Sequence, residues 1–294
     1  MAAIGKDLKQ ISNPDFPYSS VQIERCLDPL AHAIYGLRKS SETVIVGIQG
    51  GQGTGKTTLA SYLVSRLLTE GCHAVSFSID DFYTTYDDRR FFAAQHSDNP
   101  FYQLPRGMPG THRIAALYNT LSRLKSGGDV DLPVFDKSAY QGHGDISNCI
   151  EKVRGRQDFV IFEGWCIGMP VVTSDELLAI CHRQNLQDFS PFPAHTHLDV
   201  VLAHLEQYQR LWGLIDFLTM LHPDSLFLHE RWRLEQEKGL IARKGTGMPD
   251  AQVRDMFRHF LPFTCLCYEK LVPDLRIHIN KEHGYYEMTS PKLL

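Results

Sequence analysis

Gly50, Gly51, Gln52, Gly53, Thr54, Gly55, Lys56 and Thr57 stand in a row and satisfy G-x-x-x-x-G-K-[ST], with Thr58 next in line. Glycines let the backbone curl until successive N–H groups converge on phosphate oxygens, and a helix beginning behind the loop adds partial positive charge. Lys56 is placed to reach the β- and γ-phosphates, and the Thr57 hydroxyl is a hard oxygen suited to Mg2+. The segment therefore reads as a nucleoside triphosphate site, with ATP and Mg2+ as the expected cofactors. A tight strand-to-helix turn would also use glycine. The apolar run before the segment and the amphipathic run after it supply the context that the phosphate motif needs.

A phosphate cradle alone does not separate a switch GTPase, a mechanical ATPase and a kinase. The sequence holds no N-K-x-D segment for reading guanine, and the run 158–162 leads into Glu163-Gly164 where a metal-binding Asp would be usual. Switch GTPases are disfavoured. Asp80 and Asp81 close another apolar run, where one carboxylate can accept a proton from an attacking hydroxyl and the other can hold Mg2+ through water. The same pair also suits the cap of a following helix. Glu163 adds a third carboxylate at a strand end and a further metal candidate.

Arg106, with His112 after it in LPRGMPGTH, and Lys137 in PVFDKSAYQGHGD lie in loops shaped by glycine and proline. Such loops can clamp a substrate carboxylate or phosphate, or can be ordinary surface connections. Arg231 and Arg233 precede Glu235 and Glu237 by four residues, a spacing for ion pairs on a solvated helix face. The functional alternative is a lid whose arginine, Arg233, closes over the transferring phosphate, with Arg243-Lys244 as a second lid candidate. His195-x-His197 has no complementary ligand set nearby and predicts no zinc site.

The elements that must position these groups follow from periodicity. Thr43 to Ile48 reads as a strand buried on both faces, and Leu59, Leu63 and Leu67 mark a helix stopped by Gly71. His73 to Ile79 reads as a second strand that delivers Asp80 and Asp81, and 158–162 as a central strand that delivers Glu163. Parallel strands joined by such crossovers put their C-terminal ends on one edge, so the acids and the glycine loop should meet there. A helix is expected at 21–38, interrupted or restarted at Pro29, and another at 114–124. Residues 214–221 are open between strand and helix, 224–238 should be helical with Asp224 as N-cap, and 275–279 should be a last strand. The expected fold is α/β: a doubly wound parallel sheet with flanking helices, one domain over 1–294, and a helical lid at about 224–244.

Composition narrows the partners. Lys and Arg total 30 against 34 Asp and Glu, a net charge of −4 with no polybasic block, which points away from nucleic acid and acidic membranes toward a small-molecule acceptor. Hydrophobic residues at 43% and charged residues at 22% are ordinary for a globular chain. The seven cysteines form no C-x-x-C pair and read as reduced core thiols, Cys265-x-Cys267 included. The first twelve residues, MAAIGKDLKQIS, have neither a basic nor an apolar leader region, so a cytoplasmic setting is expected.

GIQGGQGTGKTTL, SIDDFYTT, LPRGMPGTHR, PVFDKSAYQGHGD, VIFEGWCIGMP, ERWRLEQE and GMPDAQVRDMFRHFLP run in the order and at the separations of the glycerate kinase family of plants, fungi and bacteria. The chain resembles that family nearly end to end. It is a branch of the P-loop kinases that also holds phosphoribulokinase, uridine kinase and bacterial pantothenate kinase. The resemblance implies ATP-dependent phosphorylation of a small hydroxylated acceptor, D-glycerate to 3-phosphoglycerate. It also implies Asp80 as catalytic base, Glu163 in the Walker-B role, and Arg106, His112 and Lys137 around the acceptor. The chain departs from the family at Arg113, which would add positive charge near the acceptor, and at Cys166. A kinase for a nucleoside, pantothenate or a sugar acid, and a nucleotide-binding regulatory ATPase, are the alternatives.

Overall fold

The computed structural model describes residues 16–186, 194–244 and 248–293, and strands alternate with helices along most of them. The first helical stretch is divided into α1 (Ser20–Gln22), a π-helical turn at Ile23–Leu27, and α2 (Asp28–Tyr35). Pro29 is the second residue of α2 and follows directly on the π-helical turn, whose wider coil accommodates a residue without an N–H inside the helical stretch. Then come β1 (Val44–Gly50), α3 (Lys56–Thr69), β2 (Ala74–Ser78), α4 (Tyr86–Gln95) and α5 (Ile114–Lys125). A hairpin of β3 (Val130–Asp136) and β4 (Asp145–Val153) precedes β5 (Phe159–Gly164), α6 (Ser174–Arg183), α7 (His195–Glu206), α8 (Gln209–Trp212) and β6 (Phe217–Pro223). The remaining elements are α9 (Leu228–Lys244), α10 (Asp250–Lys270), β7 (Leu275–Ile279) and β8 (Tyr285–Thr289).

The main sheet has the order β2-β5-β1-β6-β7-β8, with its first five strands parallel and β8 antiparallel at the edge. Side chains alternate between its two faces. Val44, Val46 and Ile48 of β1 pack with Leu30 and Ile34 of α2 and Leu59, Leu63 and Leu67 of α3, while Ile45 joins the opposite layer, built from α5, α6, α7 and α10. Leu59, Leu63 and Leu67 are at most 1% exposed, so each contributes roughly 1.5–3 kcal/mol on burial. The doubly wound architecture is as expected. Because β1 has neighbours leading away on both sides, the crevice at its C-terminal end lies at the switch point where such sheets bind ligands.

Several details differ from the sequence reading. β5 lies between β1 and β2, so the acid next to the glycine loop is Glu163 and Asp80 is one strand further out. Residues 217–223 form strand β6, and β8 and the β3–β4 hairpin were not expected. Asp224 does not cap α9, which starts at Leu228. Its N–H donates to the Ile279 carbonyl at 2.9 Å and its carboxylate accepts the Tyr286 hydroxyl at 2.7 Å. Cys149 is exposed, whereas Cys26, Cys72, Cys166, Cys181, Cys265 and Cys267 are buried, and all seven are free. The N-terminal twelve residues, part of the polar loop 184–196, and the side chains of Arg243 and Lys244 lie outside the described residues.

Candidate active site

β1 ends at Gly50 and the chain turns through Gly53 (φ +76°) and Gly55 (φ +88°), both in the left-handed region that favours glycine, before α3 begins at Lys56. Inside the turn, the Thr54 hydroxyl donates to the Gly51 carbonyl at 2.9 Å, and the Lys56 ammonium donates to the same oxygen at 3.0 Å. The Tyr285 hydroxyl of β8 secures the Thr54 carbonyl at 3.2 Å. Burial pushes the Lys56 amine down, against the opposing charges of Glu163 and Asp80. A desolvated ammonium of this kind gains most from an arriving anion.

Glu163 is the last residue but one of β5 and is 5% exposed, and its carboxylate accepts the Thr57 hydroxyl at 2.8 Å. The two proposed metal-binding oxygens therefore sit side by side. After β2, Ser78 and Asp81 form a reciprocal cap: the Ser78 hydroxyl accepts the Asp80 N–H, and the Asp81 carboxylate accepts the Ser78 N–H at 3.1 Å. The other Asp81 oxygen accepts the Phe135 N–H at 3.4 Å. Asp81 is thus spent on the turn and is not brought to Thr57 and Glu163, while Asp80 is presented to the crevice.

Asp80 accepts the Lys137 ammonium at 2.7 Å on one oxygen and the Tyr83 hydroxyl at 2.9 Å on the other. Burial acts to raise its carboxyl, but the charge and hydrogen bond of Lys137 outweigh that and hold it well below the usual carboxylate range. The Asp80 carboxylate in turn raises Lys137. A carboxyl lowered on folding stabilises the folded state above its unfolded value of about 4, and that contribution is lost as pH falls toward the folded value. Lys137→Met is therefore expected to shift the Asp80 titration upward by on the order of one unit or more, because burial is then opposed chiefly by the Tyr83 hydroxyl. The urea-midpoint gap between wild type and variant should be largest near neutrality and narrow below about pH 4; a gap independent of pH would contradict this assignment.

Asp80, Lys137, Arg106, Arg233, Glu163, Lys56, Thr57, Thr58, Gln52, Gly53 and Gly55 all line one cavity of about 480 Å3. The sequence reading is thereby largely gathered at one place. Arg106 donates to the Gly142 carbonyl at 2.6 Å and lies over the Phe135 ring. Gly50, Gly51 and Thr54 shape the loop from behind and do not line the cavity. Nor does His112, which is 5% exposed, stacks on Tyr83 with ring centroids 4.3 Å apart, and bonds the Tyr208 hydroxyl at 2.8 Å. It supports the tyrosine that holds Asp80. Arg113 is also turned away: its guanidinium donates to the Tyr83 carbonyl at 3.1 Å, so the charge expected near the acceptor is engaged with the backbone.

The α9 arginines part company. Arg231 and Glu235 form the exposed pair that their spacing suggests, whereas Arg233 pairs with Glu237, itself 4% exposed, and faces the cavity. Sequence reasoning missed Trp232 and His283, stacked 4.3 Å apart at the cavity wall, and Trp165, Met248, Met256 and Phe260, which line it. It also missed Arg89, 6% exposed, whose guanidinium gathers the carbonyls of Thr84, Pro105 and His143 and so ties together the loops carrying Asp80, Arg106 and Lys137. The composition of those loops contained no signal for it.

A buried strand, a glycine cradle and a helix on a parallel sheet, with carboxylates near the ends of two further strands, define a P-loop nucleotide-binding protein. The model of the Phosphoribulokinase / Uridine kinase family matches residues 45–171. Over 223 residues, 74% of this chain, the sequence is 35% identical to the uncharacterized kinase mug58 of Schizosaccharomyces pombe, 78% of whose length is covered. The chain belongs to the phosphoribulokinase/uridine kinase family of ATP-dependent P-loop kinases. It is 28% identical over 239 residues to the chloroplastic D-glycerate 3-kinase of Arabidopsis thaliana, covering 79% of this chain and 48% of that one. The solved D-glycerate 3-kinase from Cryptococcus neoformans superposes with a TM-score of 0.77 at 29% identity, covering 90% of this chain and 96% of that one. Among the described residues no helix is long and apolar enough to cross a membrane.

Proposed function

We propose that this kinase transfers the γ-phosphoryl of Mg-ATP to a hydroxyl of a small carboxylic acid, with D-glycerate to 3-phosphoglycerate as the preferred reaction. The observation that carries the reading is the single cavity in which Asp80 faces the glycine loop with Lys137, Arg106 and Arg233 around it. Cations clustered at the acceptor end favour an acid over a neutral nucleoside. The preference for glycerate draws on the relatives of that name. A cytoplasmic setting belongs to the same proposal, supported by seven free thiols, six of them buried.

In this reading the loop amides and Lys56 hold the polyphosphate, and Arg106 and Lys137 orient the acceptor carboxylate. Asp80 accepts the hydroxyl proton, and Arg233 stabilises charge on the moving phosphoryl group. Among the described residues no three His, Cys, Asp or Glu side chains converge on a metal position. The neighbouring Thr57 and Glu163 oxygens suit Mg2+, which takes few protein ligands and completes its shell with phosphate oxygens and water. When bound it would neutralise phosphate charge. A second cavity of about 500 Å3 shares Gly55, Thr58 and His283 with the first and is walled by Tyr18, Arg25 and Tyr286; it suits the nucleoside end of ATP.

The test is a coupled ADP-release screen over glycerate, other sugar acids, uridine and pantothenate, with the product identified by mass spectrometry. Turnover that depends on glycerate and yields phosphoglycerate is expected. Turnover with uridine or pantothenate alone would reassign the acceptor. Slow ADP release with no phosphorylated product would favour the regulatory ATPase.

A further inference from the structure

Gly51 is backed by an imidazole. A Cβ at Gly51 would lie 2.4 Å from the His229 ring of α9, so only glycine lets that ring approach the loop. His229 is 2% exposed. Its Nδ1 is 2.9 Å from the Gln52 carbonyl oxygen and its Nε2 is 2.9 Å from the Tyr268 hydroxyl of α10. A carbonyl only accepts, so Nδ1 carries the proton. Burial pushes the imidazole down to about 3, which leaves Nε2 bare to accept the Tyr268 O–H. The Tyr268 oxygen accepts the Gly51 N–H at 3.2 Å, and the Leu221 carbonyl, also at 3.2 Å, is a more distant acceptor for its proton than His229. The hydrogen bonds thus run from the Gly51 amide through Tyr268 and His229 back to the Gln52 carbonyl.

A trans peptide is planar, and its C=O and N–H point to opposite sides. Holding the Gln52 oxygen on His229 fixes the direction of the N–H in the same peptide, which belongs to Gly53, a residue of the cavity wall. We propose that His229, braced by Tyr268, is a positioning residue that sets the Gln52–Gly53 peptide so that the Gly53 N–H faces the polyphosphate. The proposal rests on the ATP reading above. It assigns a role to a pair of residues, one on α9 and one on α10, that the phosphate motif does not contain.

The test compares wild type with His229→Ala, His229→Asn and Tyr268→Phe by calorimetric ATP titration and steady-state kinetics. His229→Ala is expected to weaken ATP binding and raise KM for ATP by about tenfold, the scale of one lost hydrogen bond, with KM for the acceptor within about twofold. Asparagine carries an amide N–H near the position of Nδ1, so His229→Asn should recover most of the loss. Tyr268→Phe should move KM for ATP in the same direction by less, and should add little on top of His229→Ala, since both sit in one chain of bonds. Unchanged KM for ATP in folded His229→Ala overturns the proposal. So does a His229→Asn variant that melts like wild type yet has a KM for ATP as high as that of His229→Ala. If the alanine variant does not fold, a folded His229→Asn with KM for ATP about tenfold above wild type, or a folded Tyr268→Phe with KM for ATP unchanged, overturns it. Wild-type protein that binds no ATP would instead overturn the kinase reading, so the two failures are distinguishable.

Discussion

Lys56→Ala is expected to reduce phosphoryl transfer by about a thousandfold, at the upper end of what removing one preorganised donor costs. The ammonium is held over the cavity by the Gly51 carbonyl at 3.0 Å and is half-buried there, which pushes its amine down. It therefore meets the phosphates without reorganising, and charge that builds on the moving group is opposed by a cation in a poorly screened setting. Because that charge is largest in the transition state, kcat should fall more than ATP affinity. The fold should survive, since Lys56 occupies the first position of α3 and alanine is the best helix former. The check is the coupled assay alongside calorimetric ATP binding and a thermal melt. A folded variant that keeps a tenth of wild-type turnover would remove Lys56 from the mechanism.

What the sequence made legible was local. The strand at Val44, the glycine loop and α3 are contiguous, so chemistry and context could be read together, and the ends of β2 and β5 were marked by acids after apolar runs. Which neighbour each strand takes is non-local. β5 slips between β1 and β2, and this topology puts Glu163 against Thr57. The β3–β4 hairpin escaped because Pro133 interrupts β3 and because residues 148–152 of β4 are all exposed, which erases the alternation that announces a strand.

Side-chain assignments divide along the same line. Asp80 and Asp81 are adjacent and identical, and either role suited either residue. The structure separates them through Ser78 and Phe135, whose amides occupy Asp81. Arg231 and Arg233 share one spacing to a glutamate, yet two residues along a helix is about 200° of turn, so Arg233 faces the cavity and Arg231 does not. His112 lies in a loop that looks like a substrate clamp, but its ring is used to prop Tyr83. Trp232 and His229 read as unremarkable helix residues until α9 is laid against the loop, where Gly53 and Gly51 leave room for them.

Asp80→Asn is expected to leave ATP affinity within about threefold and to lower kcat by about 10²–10⁴, the range of a lost general base. The carboxylate receives two donors, the Lys137 ammonium and the Tyr83 hydroxyl, and an amide NH2 must face one of them. The substitution thus removes both the proton acceptor and the counter-charge that keeps Lys137 in place. In the wild type that counter-charge makes Asp80 a weak base at rest. An acceptor carboxylate that draws Lys137 away leaves Asp80 half-buried without its counter-charge, and its proton affinity rises as the hydroxyl arrives. Asp81→Asn provides the contrast. Its oxygens take backbone amides, so the variant should lose about 1–2 kcal/mol of stability while the folded fraction keeps its turnover. If Asp80→Asn still transfers phosphate and Asp81→Asn does not, the base is Asp81 and the turn at Ser78 must open during the reaction.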